Sequence, residues 1–137
     1  MSARTKARKR ALDVLYGADV RGESINTVLG AESLRAAAQP ERSASWEYAR
    51  TIVTGVTEHG DEIDELIETY SQGWPIARMP AVDRALLRIG IWEILFNDEV
   101  PDSVAIAEAV ESARIHSTDD SAGFVNGLLG RIAATRG

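Results

Sequence analysis

The chain has 137 residues, 45% of them hydrophobic and none of them cysteine. That length can bury about two-thirds of its unfolded surface in one domain without staples, while the missing cysteines exclude disulfides, thiolate metal sites and a thiol nucleophile. Net charge is −6 and the isoelectric point near 4.9, which argues against a surface that coats DNA broadly and leaves any polyanion contact local. No apolar stretch reaches the ~18 residues that a membrane span needs, and the start lacks the apolar core of a signal peptide, so the expected location is the cytoplasm with no membrane partner.

The first element is a basic arm. Arg4, Lys6, Arg8, Lys9 and Arg10 place +5 in ten residues with no acid before Asp13, whereas the rest of the chain carries the other 10 basic and all 21 acidic side chains. Random scatter would put about one cation there, and dense positive charge of this kind is what a polyanion recruits. Arginine-rich segments often order on RNA, exchanging condensed counterions for phosphate contacts; the alternative is a solvated tail. The expected organisation is an arm over residues 1–10 leading into the first helix, followed by one all-helical domain over 11–137.

Beyond the arm, apolar spacing is helical almost throughout. Ala11, Leu12, Leu15 and Ala18 recur at three and four with Gly22 as a stop, and Tyr16 stands apart on the line of Lys9 and Asp13. Residues 21–43 hold a short pattern of Ile25, Val28 and Leu29 after Ser24 as N-cap, then alanines and Pro40. Ala49, Ile52, Val53 and Val56 form a stripe over 43–59, and Ile63, Leu66, Ile67 and Tyr70 form another over 61–70, with Gly60 between them. Residues 80–96 are apolar on nearly every side, as a central helix requires. Asp102 or Ser103 is expected to cap a helix carrying Ile106, Val110 and Ala113; Asp120 or Ser121 is expected to cap a last one carrying Phe124, Val125, Leu128, Leu129 and Ile132. No convincing period-2 run occurs, so the predicted class is all-α.

Chemistry-bearing clusters are few. Residues 59–68 join His59 to five carboxylates, but a carboxylate-bridged metal pair wants Glu-x-x-His and neither His59 nor His116 has a Glu three residues before it, so the run reads as a wet acidic helix face. The three glycines of GFVNGLLG follow no strand, which disfavours a phosphate loop and suits close helix packing. No catalytic triad has a local signature, and neither an enzyme nor a cofactor is indicated. On the central helix Arg84 and Arg88 are four apart, beside Asp83. They either snorkel or pair with local acids, or continue a basic surface toward RNA.

The strings AVDRALLRIGIWEILF, VPDSVAIAEAVESARIHSTDDSAGFVNGLLGRI and RTKARKRALDVLYGADVRG closely resemble the NusB family of bacterial transcription antitermination factors, over roughly residues 4–20 and 43–132. The resemblance implies about seven helices in two packed three-helix sub-bundles. It also implies partnership with NusE, a small-subunit ribosomal protein, binding of the boxA element of nascent RNA in ribosomal RNA operons, and joining of the elongating RNA polymerase with other Nus factors. Carried over, the RNA-binding positions are Arg4, Lys6, Arg8, Lys9, Arg10, the adjacent aromatic Tyr16, Asp83, Arg84, Arg88, Asp120 and Phe124. Thr5 and Gly123 depart from the basic residues that relatives often carry. Self-association varies within the family, so a homodimer is compatible with the sequence. Ribosomal RNA cytosine methyltransferases resemble NusB at their N-termini, but such an enzyme also needs a glycine-rich cofactor-binding strand-loop-helix, which these residues lack. A helical protein-binding bundle with an incidental arm is the third reading.

Overall fold

The structure is a computed structural model and describes residues 2–136; Met1 and Gly137, the outer ends of the two expected segments, lie outside it. Seven α-helices follow in order among the described residues: α1 Ala3–Arg21, α2 Ile25–Ala38, α3 Ser43–Glu58, α4 Gly60–Tyr70, α5 Ala81–Phe96, α6 Asp102–His116 and α7 Ser121–Thr135, with single 3-10 turns at Pro40–Arg42 and Ile76–Arg78. No strand occurs among these residues. The all-α expectation and the count of about seven helices therefore hold. The chain divides into two compact units, residues 1–54 and 55–137, so the first unit takes α1, α2 and most of α3, and the second the end of α3 and the four later helices.

In the first unit α1 begins earlier than the apolar stripe suggested. Ser2 is its N-cap, accepting from the Thr5 N–H at 3.0 Å, and Ala7 is fully buried together with Ala11, so the core-facing row reaches back into the basic segment. Residues 3–10 are thus helix, not a shapeless arm: the small Ala7 supplies the packing position among the cations. Gly22 ends α1 in the left-handed conformation, φ 66°, which costs glycine nothing. Ser24 caps α2 as expected, accepting from the Thr27 N–H at 3.1 Å. Helices α1 and α2 pack together, and α3 contributes the buried Trp46, Ala49, Ile52 and Val53.

In the second unit α5, α6 and α7 pack mutually, and α4 lies against α5 and α7. Leu86, Leu87, Ile89, Ile91 and Ile94 of α5 are buried, as its all-round apolarity predicts. The buried row of α6 is Ala105, Ala109 and Ala113; Ala113 is buried as expected, while Ile106 and Val110 are half-buried and their places in the row go to the small side chains one residue earlier. The expected caps also differ. Pro101, not Asp102 or Ser103, stands at the N-cap of α6, and Asp120 stands at that of α7 without a side-chain cap bond. Asp102 and Ser121 have other partners: Asp102 takes the Arg136 guanidinium at 2.8 Å, while Ser121 is committed to Asp83, described below.

Close helix approach is served by glycines other than those of GFVNGLLG. A Cβ at Gly123 or Gly130 would meet nothing within 4 Å, whereas one at Gly55 would lie 2.0 Å from Trp92 Nε1 and one at Gly90 2.7 Å from Leu129 Cδ1. No helix among the described residues is long and apolar enough to cross a membrane.

Candidate nucleic-acid interface

Arg4, Lys6, Arg8, Lys9 and Arg10 occupy the opening turns of α1, and helical spacing distributes them around it. Arg4 and Arg8 are one turn apart and share a face, which lies over the Tyr48 ring of α3 at 4.5 and 5.9 Å from its centroid. Such contacts retain the cation while using its planar face. Arg10, another turn member, donates from Nε to Ser45 Oγ at 2.9 Å. Lys6 is exposed, and Lys9 pairs with Asp13 at 2.7 Å with both side chains well exposed. An exposed pair of this type is worth ~0–1 kcal/mol and yields readily to a phosphate. Tyr16 stands two turns along the line of Lys9 with 40% of its surface exposed, an aromatic face open to stacking.

Sequence alone did not single out Tyr48 or Ser45, although their three-residue spacing puts both on one edge of α3. Together they hold three of the five cations in a defined array. Helix ordering and these contacts remove much of the conformational entropy that a disordered basic tail would lose on binding.

The remaining candidates lie in the second unit and do not form one type of surface. Arg84 donates from Nη1 to the carbonyl oxygens of Met79 at 2.7 Å and Ile76 at 3.2 Å, holding the turn that leads into α5. Arg88 meets Asp64 of α4 in a two-pronged pair, Nε to Oδ1 at 2.9 Å and Nη2 to Oδ2 at 3.1 Å. Its partner is therefore the acidic run of α4 and not Asp83. Within that run Asp61, Glu62, Glu65 and Glu68 are exposed and Ile63 and Ile67 buried, the amphipathic division expected of a wet face. Asp120 is exposed at the start of α7, and Phe124, one turn on, meets Trp74 edge to face with ring centroids 4.7 Å apart.

Asp83 needs correction as a direct contact residue. It is fully buried, and its carboxylate accepts hydrogen bonds from Ser117 Oγ at 2.5 Å and Ser121 Oγ at 2.8 Å. An RNA cannot reach those oxygens without opening the turn. Ser117 carried no signal in the sequence, and Ser121 only that of a helix cap.

Comparison with known proteins bears on family and fold. The NusB family model matches residues 5–134. The transcription antitermination protein NusB of Clavibacter sepedonicus is 71% identical over 136 residues, covering 99% of each chain; that of Leifsonia xyli subsp. xyli is 68% identical, covering 99% of this chain and 94% of its own. Among solved structures, T. maritima NusB superposes with a TM-score of 0.83 at 32% identity, over 98% of this chain and 92% of that one. A chain of the crystal structure of antitermination factors NusB and NusE in complex with dsRNA gives 0.84 at 30% identity, over 98% of both. A match that spans nearly every residue, with relatives this similar along their whole length, means that the chain belongs to the NusB family.

Proposed function

We propose that the chain is a non-enzymatic, RNA-binding transcription antitermination factor that, together with NusE, binds boxA RNA of ribosomal RNA operons and joins the elongating RNA polymerase with other Nus factors in the cytoplasm. The observation that carries the reading is the cationic opening of α1, residues 3–10, in a protein that is otherwise acidic. Family membership supports it, as does the NusB relative whose crystal structure includes NusE and RNA.

In this reading the two kinds of contact have separate tasks. Arg4, Lys6, Arg8, Lys9 and Arg10 neutralise phosphates and so give affinity with little sequence information, whereas discrimination comes from base edges and stacking on firmly held groups. Tyr16 is the stacking candidate in the first unit. Arg84, Arg88, Asp120 and Phe124 are the candidates in the second, and Asp83 acts behind them. Titration of boxA RNA and a scrambled RNA, each with the chain alone and with NusE, tests the proposal. NusE is expected to tighten boxA binding more than binding of the scrambled RNA; equal affinities for both RNAs in the presence of NusE would overturn the reading.

A further inference from the structure

A buried carboxylate ties together the two ends of the α6–α7 turn. Asp83 lies in the first turn of α5, and its two oxygens divide between Ser117, the residue that closes α6, and Ser121, the first residue of α7. With both serine protons given to the carboxylate, Ser121 Oγ is left to accept, and it takes the Thr118 hydroxyl at 2.8 Å and the Thr118 N–H at 3.3 Å. The turn thus closes on itself around Asp83. A buried charge is costly unless its hydrogen bonds are made, and each bond to a charged group is stronger than a neutral one, so this arrangement favours one turn conformation over its alternatives.

What that turn displays is Asp120, exposed and lacking a cap bond that would fix its side chain, and Phe124 one turn later. We infer that Asp83 is a positioning residue, holding residues 117–121 in the conformation that presents Asp120 and Phe124, and that it acts on RNA recognition through those two residues. The inference rests on the RNA-binding reading of the second unit.

Two measurements on the intact chain test it, with Ser121→Ala as the main variant and Asp83→Asn as the second. In the free protein, amide hydrogen exchange over residues 118–124 should quicken by about tenfold in Ser121→Ala, while the α5 interior keeps its protection. Binding of boxA RNA in the presence of NusE is then compared in two backgrounds. Ser121→Ala should weaken binding about fivefold in the otherwise native protein, the scale of one lost hydrogen bond, and should have no further effect in a protein already carrying Asp120→Ala and Phe124→Ala, because a residue acting through others is fully non-additive with them. Unchanged exchange in the turn of both variants overturns the inference and leaves the RNA reading standing. Equal losses in the two backgrounds, or quickened exchange with unchanged RNA affinity, also overturn it. A native chain with NusE that shows no preference for boxA RNA overturns the RNA reading itself, and the positioning role falls with it.

Discussion

Replacing Arg4, Lys6, Arg8, Lys9 and Arg10 together by glutamine removes the charge of the first helical turns while retaining residues of similar helix propensity. Deleting residues 1–10 would be a less clean experiment, since it also removes the Ser2 cap and the buried Ala7. Each phosphate neutralised on a single strand contributes roughly −0.7 to the slope of log affinity against log salt, so five contacts give about −3.5. Between about 50 and 200 mM salt, that slope weakens binding by about 10²-fold. Fluorescence anisotropy of a labelled boxA RNA across that range reads the slope directly. Lys6→Gln alone should flatten it by ~0.7, and the fivefold variant should lose nearly all of it, with affinity for boxA and scrambled RNA falling by similar factors. Circular dichroism must show the variant folded. A folded fivefold variant with the native salt slope would refute the reasoning, because the phosphate contacts would then have to lie elsewhere.

Other outcomes follow from single positions. Tyr16→Ala should remain folded and lose ~1–3 kcal/mol of boxA binding with little loss for scrambled RNA, measured by parallel titrations, if a base stacks on the exposed ring. Leu86→Ala, at a buried position of α5, should cost ~2–5 kcal/mol by urea denaturation. Arg88→Ala breaks a partly exposed pair with Asp64 and should cost only about 1 kcal/mol of stability while weakening RNA binding; unfolding with native affinity per folded molecule would reduce Arg88 to a structural strut. Gly55→Ala drives a Cβ into the Trp92 ring and should cost ~1–3 kcal/mol by thermal unfolding, despite the gain in helix propensity.

Helix identity was readable wherever a stripe of bulky side chains marked it, as in α3, α4 and α5, and the Ser24 and Gly22 signals set boundaries by local chemistry alone. The start of α1 was hidden because alanine is a weak hydrophobic signal, and Ala7 is recognised as core only when its neighbours are in place. The same weakness shifted the α6 row from Ile106 and Val110 to Ala105 and Ala109. In the candidate site the residue types were legible and their partners were not. Arg88 meets Asp64 across 24 positions of sequence, and Asp83 meets Ser117 and Ser121 across 34 and 38, pairings that only the packing of α4 to α7 creates. Glu93 is buried in α5 despite its charge, and periodicity gives no reason for a carboxylate there.

Photo-crosslinking tests most directly whether RNA lies on the opening turns of α1. With boxA RNA carrying 4-thiouridine, bound to the chain in the presence of NusE, irradiation and peptide mapping should place crosslinks within residues 3–21, Tyr16 among them. Crosslinks confined to peptides outside α1, from a complex that prefers boxA over scrambled RNA, would contradict that placement.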